Sequence, residues 1–141
     1  MRFTRYILIS LVTLVLFTGC AMTNKGNNFA VQNRYFNNMA AEVYKATAYC
    51  SCKKCCGKYP WDKAYGITAS GKKAKWGTVA VDRKVIKLGS KLRIDYFPDT
   101  IFRAEDVGGS IKGKHIDVWF PSHKKALQFG VQNILVQLVR S

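Results

Sequence analysis

Only 8 of the 141 residues are acidic, against 23 lysines and arginines. Carboxylate chemistry must therefore come from a short list: Glu42, Asp62, Asp82, Asp95, Asp99, Glu105, Asp106 and Asp117. Three of these sit against apolar runs. Asp82 closes Val79-Ala80-Val81, Asp106 precedes Val107-Gly108-Gly109, and Asp117 lies inside His115-Ile116-Asp117-Val118-Trp119-Phe120. A carboxylate in such company costs free energy unless it is hydrogen-bonded, or it is held with a raised pKa and can give and take a proton. Turn formation through nearby backbone amides is the competing reading for Asp82 and Asp106. It serves Asp117 poorly, because mid-strand aspartate has low β propensity.

A second constellation is Cys50-Ser51-Cys52-Lys53-Lys54-Cys55-Cys56-Gly57, four cysteines within seven residues. In an exported chain the default is disulfides among Cys50, Cys52, Cys55 and Cys56. The alternative is a structural zinc site with those four as a tetrahedral all-cysteine set, built on the Cys52-x-x-Cys55 pair. Free thiols are a third reading. His115 and His123 have no spacing that ties them to a metal or a nucleophile, and both read as surface residues.

Export is written in the first residues. Arg2 and Arg5 precede an apolar run from Tyr6 to Thr18, too short to span a bilayer core. Phe17-Thr18-Gly19-Cys20 resembles a bacterial lipobox, which makes residues 1–19 a lipoprotein signal peptide and Cys20 the lipidated residue. An ordinary signal, or an uncleaved anchor, is the alternative. Ala21 after the cysteine resembles outer-membrane sorting, facing the periplasm, if the host has two membranes. Removing residues 1–19 leaves 21 basic and 8 acidic residues, a charge of +13. Outside the cytosol that charge points to cell wall and lipid head groups and disfavours nucleic acid.

Positioning these groups falls to short strands. Residues 20–42, rich in asparagine, read as a flexible tether, and residues 43–141 as one domain. Strands are expected over 43–49, 78–82, 91–97, 101–106, 115–120 and 133–139. In the third, Leu92, Ile94 and Tyr96 share one face. Ser122 is a helix N-cap, Ala126, Leu127 and Phe129 give the helix an apolar face, and Gly130 ends it. About six short strands, glycine turns and one helix suggest a compact mainly β barrel.

Ala80-Val81-Asp82, Ile86-Lys87-Leu88-Gly89, Glu105-Asp106-Val107-Gly108-Gly109-Ser110-Ile111-Lys112-Gly113 and Ile116-Asp117-Val118-Trp119-Phe120, in that order, resemble the 3D domain, named for three aspartates. Gly66-Ile67-Thr68-Ala69-Ser70-Gly71 and Phe129-Gly130 also fit, so the resemblance runs from about Lys45 to Val139. Val107 replaces a usual threonine, Ser110 a usual alanine, and Arg83 and Lys87 common prolines. The domain is shared by membrane-bound lytic transglycosylases and stationary-phase survival muralytic proteins. The resemblance implies a six-stranded double-psi β-barrel with one or two short helices and the aspartates around one groove. It implies lytic transglycosylase cleavage of peptidoglycan between N-acetylmuramic acid (MurNAc) and N-acetylglucosamine (GlcNAc), with no cofactor required. Asp117 would be the acid/base, with Asp82 and Asp106 shaping its pKa. Thr68, Ser70, Gly108, Gly109, Ser110 and Lys112 would line the substrate groove, turn chemistry being the alternative for the polar ones. Lys72, Lys73, Lys75, Lys84, Lys87, Lys112 and Lys114 could steer the acidic stem peptides. A wall-binding barrel that does not cut is the alternative function, and a metal or redox module on the cysteine loop a further one.

Overall fold

Alternation of apolar and polar residues builds six strands in the computed structural model, which describes residues 40–139. They are β1 (Ala41–Tyr49), β2 (Thr78–Val81), β3 (Lys91–Ile94), β4 (Ile101–Asp106), β5 (His115–Trp119) and β6 (Gln132–Val139). Two short helices accompany them, α1 (Lys53–Cys56) and α2 (His123–Phe129). The signal peptide, Cys20 and most of the tether lie outside the described residues. No helix among those described is long and apolar enough to cross a membrane.

The strands close into a barrel in the order β1-β5-β2-β4-β3-β6. Two neighbour pairs, β1/β5 and β2/β4, are parallel, and the other four are antiparallel. This is the mainly β, six-stranded barrel with short helices that the sequence leads one to expect. Val79, Val81, Leu92, Ile94, Phe102, Ala104, Ile116 and Val118 fill its interior, all but inaccessible to water. Side chains of period two on β1 and β5 leave Thr47, His115 and Asp117 on the other face. That face is covered by residues 50–77, the long connection between β1 and β2.

The third strand is shorter than its alternation suggests. It ends at Ile94, and Tyr96 is 54% exposed in the turn that follows. Asp95 ends the pattern: its Oδ1 accepts the Leu135 amide at 3.1 Å, in place of a backbone carbonyl, while its own amide bonds the Leu135 carbonyl at 3.1 Å. Helix α2 forms as its signals dictate. Ser122 Oγ accepts the Lys125 amide at 3.3 Å, and Gly130 ends the helix with φ at 65°. Leu127, however, is 68% exposed, and Ala126 and Phe129 alone face the barrel.

Phe102 is the largest fully buried side chain and packs against Trp76 and Phe97 at ring separations of 5.5 Å. Phe102→Ala is expected to cost about 3–5 kcal/mol of unfolding free energy. Urea denaturation followed by tryptophan fluorescence measures it.

Candidate functional site

The pairing of β2 decides which acids meet. Ala80 pairs with Asp117 of β5 on one side and with Asp106 of β4 on the other. The second pairing depends on a register shift between Val79 and Ala80: Val79 faces Ala104, and the next residue faces Asp106. Glu105 takes up the slack, as the extra residue of a β-bulge. Without the bulge, Glu105 would stand beside Ala80. Two acids therefore flank a small residue across three strands, with strand spacing near 4.8 Å putting their Cα atoms about 10 Å apart.

Asp106, Asp117 and Ala80 line one cavity of about 300 Å³ on the outer face of the barrel, beneath the 50–77 connection. Tyr49, Ser51, Cys56, Lys58 and Gly66 form part of its wall, and Gly108, Gly109 and Ser110 another part. Gly108 belongs there because nothing larger fits. An added Cβ would stand 2.6 Å from Ile111 Cγ1.

Asp117 Oδ1 accepts the Thr47 hydroxyl at 2.7 Å, and Thr47 Oγ1 lies 3.0 Å from His115 Nε2. Thr47 has one hydroxyl proton and gives it to Asp117, so His115 donates from Nε2. No hydrogen bond from the described residues reaches Asp117 Oδ2. Burial pushes the Asp117 carboxyl above the ordinary aspartate range; Thr47 and His115 oppose the rise, and the Asp106 charge adds to it.

Asp106 is held differently. Its Oδ1 accepts the amides of Ala69 and Val107, each at 2.9 Å, and its Oδ2 accepts the Tyr49 hydroxyl at 2.8 Å. Tyr49 is buried, and that burial, with the Asp106 charge beside it, raises its pKa and keeps it a donor. Asp106 is thus a fixed acceptor on the cavity wall.

Asp82 does not join them. It is absent from the cavity lining, and its oxygens accept the Lys84 amide at 3.0 Å and the Gly113 amide at 2.9 Å. Those two amides hold its pKa below the ordinary value. It clamps the turn after β2 to the turn before β5, and of the other two aspartates only Asp106 acts on the Asp117 charge. The expectation that both anions raise Asp117 is corrected accordingly.

Other expected lining groups divide the same way. Gly108, Gly109 and Ser110 reach the cavity. Thr68 and Ser70 do not; they bond each other at 3.0 Å, and Thr68 Oγ1 bonds the Lys72 carbonyl. This is turn chemistry, and it shapes the loop whose Ala69 amide grips Asp106. Lys112 is exposed and also lies outside the lining. Lys72 pairs with buried Glu105 at 2.9 Å and Lys114 with Glu42 at 3.2 Å. Lys73, Lys75, Lys84, Lys87 and Lys112 are exposed and form no ion pair among the described residues. Sequence reasoning missed Thr47, Tyr49 and Lys58. The alternation of β1 puts Thr47 and Tyr49 on one face, but only the pairing with β5 shows what that face meets.

The cysteines of the loop form no disulfide among the described residues: Cys50, Cys52, Cys55 and Cys56 are free thiols in this structure. His123 is not a plain surface residue. Its Nδ1 lies 3.4 Å from Cys55 Sγ and 3.8 Å from Cys52 Sγ. The all-cysteine set is corrected too, because Cys56 turns away and its thiol donates to the Cys50 carbonyl at 3.1 Å.

Two outcomes follow from this geometry. Asp117 favours folding in its neutral form, so its contribution is full below the ordinary aspartate range and is lost as pH rises through its raised pKa. Asp117→Asn, which still accepts from Thr47, is expected to match the wild-type melting temperature below the ordinary aspartate range and to exceed it once pH passes the raised Asp117 pKa. Tyr49→Phe leaves Asp106 Oδ2 without its donor and is expected to cost about 1–3 kcal/mol, read by urea denaturation.

The chain is 38% identical over 78 residues to the cell wall-binding protein YocH of Bacillus subtilis, a match covering 52% of this chain and 26% of that protein. It is 35% identical over 96 residues to YabE of the same organism, named as a proposed cell wall shaping protein, covering 67% of this chain and 22% of YabE. This chain thus spans about a quarter of the length of these relatives. Solved structures that resemble it in part include MltA from Escherichia coli (24% identity, 52% of this chain and 27% of that chain, TM-score 0.45). Another is the Streptomyces papain inhibitor (21% identity, 72% and 96%, TM-score 0.48). Residues 77–140, from just before β2 to the end of β6 and including Asp82, Asp106 and Asp117, match the family model of the 3D domain.

Proposed function

We propose that this chain works outside the cytoplasm as a lytic transglycosylase on peptidoglycan glycan strands. Its substrate is the MurNAc–GlcNAc bond, and its product a 1,6-anhydroMurNAc end. The observation that carries the reading is the sharing of one cavity by Asp117, whose carboxyl burial pushes above the ordinary range, and Asp106, whose oxygens accept three hydrogen bonds. The 3D domain match over residues 77–140 and the names of the two Bacillus subtilis relatives support a wall substrate.

Glycoside hydrolysis commonly uses two carboxylates, one acid and one nucleophile or base. Transglycosylation within the sugar needs one group to do both jobs. Protonated Asp117 gives its proton to the bridging oxygen as the C1–O bond breaks, and the GlcNAc hydroxyl leaves. The C6 hydroxyl of the same MurNAc attacks C1 and loses its proton to the Asp117 carboxylate, which restores the starting acid. The nucleophile is part of the substrate, so no water need be recruited and the effective molarity is high. Asp106, locked by three donors, offers negative charge to the oxocarbenium-like centre without moving. Thr47, itself bonded to His115, fixes the orientation of the Asp117 carboxyl. Lys58 in the cavity wall and the exposed surface lysines supply positive charge for the stem-peptide carboxylates.

The name of the YocH relative favours a second reading, in which the barrel holds wall glycan and does not cut it. Incubation of purified sacculi with the full chain, followed by mass spectrometry of released muropeptides, separates the two. Anhydro ends are expected, with Asp117→Asn lowering their rate of formation about 10²–10⁴-fold and leaving sedimentation with sacculi intact. The wild-type rate is expected to fall as pH rises through the raised Asp117 pKa, because the protonated form is the active one. Retention on sacculi with no anhydro products from the wild-type chain would establish the binding reading instead.

A further inference from the structure

Helix α1, the turn that precedes it and the start of α2 bring four ligating atoms together beside the cavity, with Cys55 shared between the two. The sulfurs of Cys50, Cys52 and Cys55 and Nδ1 of His123 lie within 4.8 Å of one another. We propose that these four side chains bind one structural zinc ion.

Distances carry the argument. Zinc takes thiolate sulfur at about 2.3 Å and imidazole nitrogen at about 2.0–2.1 Å in a tetrahedron, so its ligands stand about 3.8 Å apart for two sulfurs and about 3.6 Å for sulfur and nitrogen. The structure places Cys50 Sγ and Cys55 Sγ 3.6 Å apart, Cys55 Sγ and His123 Nδ1 3.4 Å apart, and Cys52 Sγ and His123 Nδ1 3.8 Å apart. Three of six tetrahedral edges thus stand close to their zinc lengths before any ion is added. A Cys50–Cys55 disulfide would account for one of these contacts and leave Cys52 facing His123 without a reason.

The local backbone is that of a metal knuckle. The Cys55 and Cys56 amides bond the Cys52 carbonyl at 3.1 and 2.9 Å, which folds the Cys52-x-x-Cys55 pair into a tight turn. Gly57 closes the turn with φ at 70°, its amide bonded to the Lys53 carbonyl. Cys56 is outside the set, its thiol committed to the Cys50 carbonyl and its side chain to the cavity wall.

Topology explains why His123, 68 residues beyond Cys55, completes the site. β1 and β5 are parallel, with Tyr49 paired to Trp119, so both strands leave the barrel at the same end. Cys50 follows one and His123 closely follows the other. With four protein ligands no position stays open for water, so the ion's role is to fasten. It would tie the 50–57 loop, which carries Cys55 and Cys56 of the cavity wall, to the N-terminal end of α2.

Metal content tests this independently of any glycan product. The full chain is purified under reducing conditions, reconstituted with Zn(II), freed of excess and assayed by inductively coupled plasma mass spectrometry. One zinc per chain is expected, and Co(II) in its place should show thiolate charge transfer and the intense visible bands of a tetrahedral site. Cys52→Ser and His123→Ala should weaken binding about 10–100-fold or abolish it. Cys56→Ser should retain one zinc. His123→Cys should also retain it, now on four thiolates, which guards against loss through misfolding. A chain that takes up no zinc in reduced form overturns the proposal. So does a Cys50–Cys55 disulfide found by peptide mapping of the metal-reconstituted protein, or a Cys56→Ser loss as large as that of His123→Ala.

Discussion

The parallel register between β1 and β5 sets most of what matters in this molecule. Pairing Thr47 with Asp117 lets the threonine hydroxyl reach the carboxyl, and pairing Lys45 with His115 puts the imidazole within reach of the same hydroxyl. Pairing Tyr49 with Trp119 sends both strands out at one end, where the cysteine loop and the start of α2 then meet. A slip of one residue would turn Asp117 into the apolar interior and expose Ile116 and Val118, which are fully buried. The hydrophobic pattern of β5 therefore locks the register, and the site inherits its geometry from the core.

Three aspartates end in three environments. Asp82 has two backbone donors at an accessible turn, and its carboxylate is favoured. Asp106 has three donors at the cavity wall. Asp117 has one donor and is deeply placed, so its neutral form is favoured. The number of donors and the loss of water, not the residue type, assign each acid a different task. The bulge at Glu105 is what allows Asp106 into the site at all, and the pairing of buried Glu105 with Lys72 holds the overlying loop in place.

The same outer face explains the length of the β1–β2 connection. A barrel this small buries its apolar face on itself and leaves the other face open to water. Residues 50–77 cover part of that face, and Ser51 takes a hydrogen bond from Trp119 Nε1 at 3.0 Å as they do so. The cover removes water from around Asp117, which is the physical source of its raised pKa.

Strand positions were legible because a period of two and glycine turns are local signals, and each of the six strands agrees with its expected range to within a few residues. The Ser122 cap and the Gly130 stop were legible for the same reason. Asp117 stood out because a mid-strand acid is costly wherever the strand goes. The grouping of acids was not legible: Asp82 and Asp106 look alike in sequence, and only a register shift puts one beside Asp117 and leaves the other at a turn. His123 reads as a lone surface residue, and its approach to Cys52 and Cys55 depends on strand order. Sequence by itself determined the elements and the groups able to do chemistry, because propensity, patterning and capping act over a few residues. Tertiary structure alone decided which groups meet and how much water each keeps, because pairing between strands far apart in the chain sets both.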